Sequence, residues 1–275
     1  MPVAALPGVQ LHYTDGGAGD PLLLLHGIGN SSKDWEFQIP VLTQHFRVIA
    51  PDLRGYGESS RAGPYSVEQF AADVWALLAQ LGITRCRIIG HSMGGAVAMQ
   101  MAVEHPERVE CLVLADTLPS FRADTPAKRL LFLSRYLMMA LLGPQRLAST
   151  IAAKLFPAPE HASLRARVIE RNQRNDRKVY LRTIRGLIRW SVSAQLQRLA
   201  MPVFVIAAEH DYFPSEDAKA FADALPNAQL KIFANAHHSL PQEIPSEFNT
   251  ALLAFFGTPA TESPRESTLV AETHR

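Results

Sequence analysis

A chain of 275 residues, 47% hydrophobic and 19% charged, is long enough to bury one sizeable core, or a core with an inserted subdomain. Its formal net charge of +1 leaves the molecule without a strong overall field, and two cysteines exclude a disulfide framework. No apolar run reaches the ~18 residues that span a bilayer; the apolar stretch 130–142 is too short and contains Arg135.

Residues 1–7 carry neither a basic segment nor a long apolar core, so no secretory signal is expected and a soluble, cytoplasmic protein is the default. Residues 9–13 alternate polar and apolar, as a half-exposed strand does. Residues 22–25, all leucine, form a run typical of a strand covered on both faces. That run ends in His26-Gly27-Ile28-Gly29. Residues 35–44 read as a short helix and 46–50 as the next strand, which enters a glycine-rich loop between Asp52 and Ser59. Asp52 and Arg54 read as a charged pair that fixes this loop. Ser66 and Gln69 make a capping box for a helix reaching Leu81, with Phe70, Val74, Leu77 and Leu78 on one face and Gly82 as its stop. Cys86 and Cys111 each open an apolar run and read as buried thiols.

Ile88 and Ile89 close a β-branched run, and Gly90-His91-Ser92-Met93-Gly94 then fits the nucleophile-elbow pattern G-x-S-x-G. A serine at the tip of so tight a turn leaves no room for side chains two residues to either side, and glycines 90 and 94 remove them. The helix 94–104 points its free N–H groups and positive dipole end at the place where an oxyanion would form. The backbone N–H of Met93 is one expected donor; that of Ile28, just past the first strand end, is the other.

Residues 109–115 form another strand, ending in Asp116-Thr117. Regular alternation up to this point argues a parallel sheet with helices on both faces. Residues 118–198 contain no convincing strand. They read as helices broken at 143–144 and 157–159, and they carry 16 Lys/Arg against 4 Asp/Glu. The sheet resumes at 201–208, followed by a loop 209–214, a helix 216–225 capped by Ser215, a last strand 229–234 and a closing helix 246–256. The expected organisation is therefore an α/β core of residues 1–117 and 199–257, an all-helical cap of residues 118–198, and a flexible tail of residues 258–275.

Ser92, Asp211 and His238 each sit just past the end of an expected strand. In a parallel sheet those ends share one edge, so three residues distant in sequence converge. A serine hydroxyl is a poor nucleophile at neutral pH; an imidazole can take its proton and later return it, and a carboxylate behind the imidazole fixes its tautomer. His237 is the alternative histidine and Asp116 the alternative acid.

Taken together, His26-Gly27, the Asp52–Ser59 loop, Gly90-His91-Ser92-Met93-Gly94-Gly95, Asp211 with Pro214 behind it, and His238 make the chain resemble the α/β-hydrolase family over roughly residues 9–256. It departs from that pattern at His237 and Ala208, where the family commonly has glycine. The resemblance implies a mostly parallel central sheet with an inserted helical cap, and cofactor-free acyl transfer to water. Serine at position 92 excludes the members that use an aspartate there to dehalogenate alkanes or open epoxides. The segments 41–49 and 92–115 look most like enol-lactone hydrolases of aromatic catabolism and related esterases. The expected function is hydrolysis of small carboxylic esters or lactones; a carbon–carbon bond hydrolase of diketo acids and a non-catalytic binding protein on the same scaffold are the alternatives.

Specificity is expected in the cap. Leu137, Met138 and Leu141 fall on an apolar helical face that would form an acyl pocket, with His26, Gly27 and His91 as contacts from the core. The same apolar helices could instead pair two subunits as a homodimer. Arg171, Arg174, Lys178, Arg182, Arg185 and Arg189 recur at spacings that put six cations on one helical stripe, either solvated or drawing anionic substrates to the cleft. No recognised nucleic-acid motif accompanies it.

Overall fold

The computed structural model describes residues 1–258. Eight strands, β1 Val3–Leu6, β2 Val9–Gly16, β3 Pro21–Leu25, β4 Arg47–Pro51, β5 Cys86–His91, β6 Val109–Ala115, β7 Val203–His210 and β8 Ala228–His237, form one sheet in the order β1-β2-β4-β3-β5-β6-β7-β8. The first two pairings are antiparallel and the remaining five are parallel. Ten helices complete the described chain: α1 Ile39–Leu42, α2 Val67–Gln80, α3 Met93–Glu104, α4 Pro126–Leu137, α5 Gly143–Leu155, α6 Ala162–Asn172, α7 Arg177–Leu187, α8 Ser215–Asp223, α9 Leu240–Glu243 and α10 Pro245–Phe255. None is long and apolar enough to cross a membrane.

Side chains alternate faces along a strand, and here both faces are covered. Leu23 and Leu25 of β3 join Ile88, Leu112 and Val205 in a layer under α2, α3 and α8. Leu22 and Leu24 join Ile89, Val113 and Phe204 in the opposite layer, with Trp35, Phe46 and α10 residues Phe248 and Leu252. Two-sided burial explains the continuous apolar runs at the centre of these strands. Cys86 and Cys111 are buried free thiols at strand positions.

Several boundaries differ from expectation. Residues 3–6 add an antiparallel edge strand beside β2. The helix expected at 35–44 is two short turns, a 3₁₀ turn Ser32–Trp35 and α1. β7 and β8 run on to His210 and His237. Only half of the capping box at α2 forms: Ser66 Oγ accepts the Gln69 N–H at 3.3 Å, while the Gln69 amide reaches Asp73. α8 begins at Ser215 itself, with Pro214 in the capping position. Beyond Thr258, the expected tail lies outside the described residues.

Between β6 and β7 the chain is helical, α4 to α7, and a wide π-helical turn Met138–Leu142 joins α4 to α5. The two ends of this segment are tied together: Val192 N–H donates to Pro119 O at 2.9 Å, and Ser120 bridges to Ser191. The expected single basic stripe does not exist. α6 ends at Asn172 and α7 starts afresh at Arg177, with the Asp176 carboxylate accepting the Val179 N–H. Arg171 turns to Glu36 and Arg174 to Glu170, while Lys178, Arg182, Arg185 and Arg189 are exposed.

The loop after β4 is fixed by charges, though not by Asp52 pairing Arg54. Asp52 accepts the N–H groups of Ser32 and Glu58 at 2.8 and 2.9 Å. Arg54 makes a two-pronged pair with Asp73 of α2 at 2.5 and 2.6 Å, both side chains buried. Breaking one half of such a pair leaves the other charge buried alone. Arg54→Met is therefore expected to cost about 3–5 kcal/mol of unfolding free energy by urea titration, and the double variant Arg54→Met/Asp73→Leu to recover most of it. A single-variant loss indistinguishable from zero would remove this pair from the forces holding the loop.

Candidate active site

The turn from β5 into α3 is built on close backbone approach. A Cβ on Gly94 would lie 2.0 Å from Leu25 O, and one on Gly90 would lie 2.5 Å from Gly94 O, so no larger residue fits either position. Between them Ser92 sits at φ 54°, ψ −119°, a conformation that costs of order 1–3 kcal/mol and persists only when its surroundings enforce it. They do so from both sides. Ser92 N–H donates to Ala115 O at 2.9 Å, and Thr117 Oγ1 donates to Ser92 O at 2.8 Å.

The parallel strands bring their C-terminal ends to this edge. His238, one residue past β8, places Nε2 3.0 Å from Ser92 Oγ. Its Nδ1 lies 2.5 Å from Asp211 Oδ1, one residue past β7. A carboxylate can only accept, so Nδ1 carries the proton and Nε2 presents its lone pair to the serine hydroxyl. His237 turns the other way, to Glu243 at 2.7 Å. Asp116 does not bond His238: its Oδ1 accepts the Ala208 N–H at 2.9 Å, and its Oδ2 lies 3.6 Å from His91 Nε2. Burial, then the nearby charge of Asp211, pushes the Asp116 carboxyl up.

Ile28 and Ser92 line one cavity, and Met93 opens α3 beside it. Among the described residues, the N–H groups of Ile28 and Met93 have no protein acceptor. Gly27 lines the cavity too, and a Cβ there would come within 3.3 Å of both Ser92 Cβ and His91 Nδ1.

Four of the expected substrate contacts are corrected. His26 is fully buried away from the cavity; its Nδ1 donates to Gly27 O at 2.8 Å, so its Nε2 accepts the Leu53 N–H at 2.9 Å. Burial pushes its imidazole down, consistent with this neutral tautomer. His26 therefore couples the two loops instead of meeting substrate. Leu137 and Leu141 are 45% and 74% exposed on the outer side of their helices, and Met138 packs on the core without reaching the cavity. The inward phase belongs to Phe132, Arg135 and Met139. His91 does reach the cavity wall, but its Nε2 donates to His238 O at 2.7 Å. Burial pulls the His91 imidazole down, and the Asp116 carboxylate 3.6 Å away outweighs it and raises it.

Arg135, Met139 and Tyr212 line the cavity beyond the expected contacts, together with Tyr180. Arg135 was visible as the one charge in an apolar stretch, and Tyr212 as the neighbour of the expected acid.

The sequence model of the alpha/beta hydrolase fold family matches residues 20–243. The chain belongs to that family and is a hydrolase of the α/β fold. RutD of Pseudomonas syringae pv. syringae (strain B728a), to which carbamate hydrolysis is provisionally assigned, is 30% identical over 257 residues, 90% of this chain and 98% of that protein. The enol-lactonase of Burkholderia xenovorans LB400 superposes with a TM-score of 0.86 at 26% identity, covering 93% of this chain and all of the other. A thermophilic esterase from Thermogutta terrifontis gives 0.82 at 28% identity, over 93% of this chain and 96% of the other. The relatives differ in the bond named, so the likeness defines a hydrolase and leaves its substrate open.

Behind the site Asp34 is buried near Trp35, His91 and Gln242. Burial pushes its carboxyl up to about 7, against the pull of His91, Arg171 and Gln242. In the unfolded chain the same group titrates near ~4. Between those values the native state keeps a proton that the unfolded chain has released, so this group's contribution to stability falls as pH rises. Asp34→Asn cannot ionise, and from about pH 4 to about pH 8 it is expected to gain on the wild type by up to about 4 kcal/mol. Urea midpoints at both ends of that range measure it; a wild-type-minus-variant difference independent of pH would contradict it.

Proposed function

We propose that the protein is a serine hydrolase of small carboxylic esters or lactones, working through an acyl-enzyme on Ser92. The observation that carries the reading is the Ser92–His238–Asp211 relay, at 3.0 and 2.5 Å, facing a cavity with two unengaged N–H groups beside it. The cavity reaches Ser92 and His238 from between the loop at Gly27–Asn30 and helices α4 to α7.

In the proposed reaction, His238 Nε2 takes the Ser92 proton as Oγ attacks the substrate carbonyl. The N–H groups of Ile28 and Met93 receive the negative charge that develops on the carbonyl oxygen. Asp211 stabilises the imidazolium and holds its tautomer. The intermediate then collapses, His238 gives its proton to the departing alkoxide, and an acyl group remains on Ser92. Water, deprotonated by the same imidazole, releases the acid and restores the serine. In this reading helices α4–α7 act as the cap that shapes the acyl pocket and excludes water. A carbamate, the substrate class ascribed to the RutD relatives, presents a carbonyl to the same groups and belongs in the same substrate panel.

A small fluorophosphonate stands in for an ester and traps an activated serine. One adduct per chain is expected by intact mass, mapped to Ser92, absent in Ser92→Ala and strongly slowed in His238→Ala. Either substitution should lower kcat for a turned-over ester by on the order of 10⁴- to 10⁶-fold. A wild-type chain that takes up no reagent and turns over no ester, lactone or carbamate would favour a binding protein on a hydrolase scaffold.

A further inference from the structure

Arg135 is a charge without a counter-charge. It lies on α4, and its side chain lines both lobes of the cavity that meet at Ser92 and His238. Among the described residues it pairs with no carboxylate, and no aspartate or glutamate lines either lobe. Arg54, which is buried, is by contrast neutralised by Asp73 on two prongs. A guanidinium at the wall of a cavity gives up part of its hydration, and without an anion nothing in the protein replaces it.

What surrounds it has the chemistry of an anion seat. Its guanidinium carbon stacks 4.5 Å from the centroid of the Tyr212 ring, and the hydroxyls of Tyr180 and Tyr212 approach it. Both hydroxyl oxygens are buried, and neither makes a well-formed hydrogen bond within the protein. Burial pushes both phenols up, although Arg135 opposes this, so they remain protonated donors at neutral pH. A planar fork of N–H groups and two spare O–H donors match the lone pairs of one carboxylate. The Tyr212 ring also lies against the reacting groups, its centroid 4.6 Å from that of His238. An anion on Arg135 is thus one ring away from the imidazole beside Ser92.

We propose that Arg135, with the hydroxyls of Tyr180 and Tyr212, binds a carboxylate of the substrate. The preferred substrate is then a monoanionic ester or lactone whose free carboxylate lies a few bonds from the scissile carbonyl. The seat stands on its own geometry; the ester or lactone part rests on the function proposed above.

The test separates the two. Ser92→Ala, which cannot form the acyl-enzyme, is titrated calorimetrically with monomethyl succinate, glutarate and adipate and with the corresponding neutral dimethyl esters. At least one monoester is expected to bind about 100-fold more tightly than its diester, and Arg135→Met in the same background to abolish that preference. The double variant Tyr180→Phe/Tyr212→Phe keeps the charge and removes two donors, and should weaken the monoester about 10-fold with the diester unchanged. In the chain with Ser92 intact, Arg135→Met should lower kcat/KM for the monoester about 100-fold and should not lower it for the dimethyl ester. Because an unpaired guanidinium is being removed, Arg135→Met should also melt no lower than the wild type; a purely structural arginine would lower the melting temperature. Equal binding of monoester and diester, a preference that survives Arg135→Met, or no binding by any monoester overturns the proposal. Selective binding without turnover of any ester leaves the carboxylate seat standing and overturns the esterase reading.

Discussion

The contact on which the site depends is the backbone of Gly94 lying directly over the carbonyl of Leu25. With a Cβ position only 2.0 Å from that oxygen, α3 is seated on the end of β3 as tightly as a backbone can be. β3 and β5 are parallel neighbours with Leu25 opposite Gly90, so the contact also fixes where the elbow stands relative to the loop that follows Leu25. That loop carries Ile28, and the elbow carries Met93. The separation of the two proposed oxyanion donors is therefore set by glycine packing between two strands, with no side chain adjusting it. Ser92, strained at the tip, is held by Ala115 and Thr117 from the next strand over.

Around that contact three buried polar groups tie the loops in place. His26 links Gly27 to Leu53, Asp52 ties Ser32 to Glu58, and Arg54 anchors the same loop to α2 through Asp73. Each partner is satisfied, which is the condition under which buried polar groups specify one arrangement of the backbone. Asp116 and His91 form a second layer behind His238: His91 holds the His238 carbonyl, and Asp116 holds Ala208 of β7. These groups look catalytic in a sequence because their types are catalytic. Hydrogen-bond geometry separates the carboxylate that meets His238 from the one that meets a backbone amide.

The core was legible in the sequence because parallel strands with two buried faces leave continuous apolar runs, and because the elbow needs glycines at fixed spacing. The strand ends brought residues 92, 211 and 238 to one edge but left His237 and Asp116 open beside them, and the family resemblance favoured His238. The helical segment was less legible for a physical reason. In α4 and the turn after it, leucines at 130, 133, 137 and 141 repeat at helical spacing, but so do Leu131, Phe132, Arg135 and Met139. Hydrophobicity favours the all-leucine stripe as the inner one, and the protein turns it outward, with Leu130 at 69% and Leu141 at 74% exposure. The cationic stripe failed differently. The polar run 172–176 stops one helix, and Asp176 starts another, so a regular spacing in sequence was not a face in space.

That inverted phase changes the electrostatics of the proposed chemistry. Acyl transfer requires His238 to carry a positive charge transiently, and His238 and Arg135 both pack against the Tyr212 ring. An unneutralised guanidinium at that range opposes the imidazolium by on the order of 1–2 kcal/mol at an effective dielectric of about 20. A carboxylate seated on Arg135 cancels the opposition. On the proposed reading, an anionic substrate thus supplies its own counter-ion to the site: the contact that holds it also lowers the cost of the proton transfer that consumes it. A neutral ester of the same shape receives neither contribution, so one residue on the helical segment would govern both binding and the chemical step.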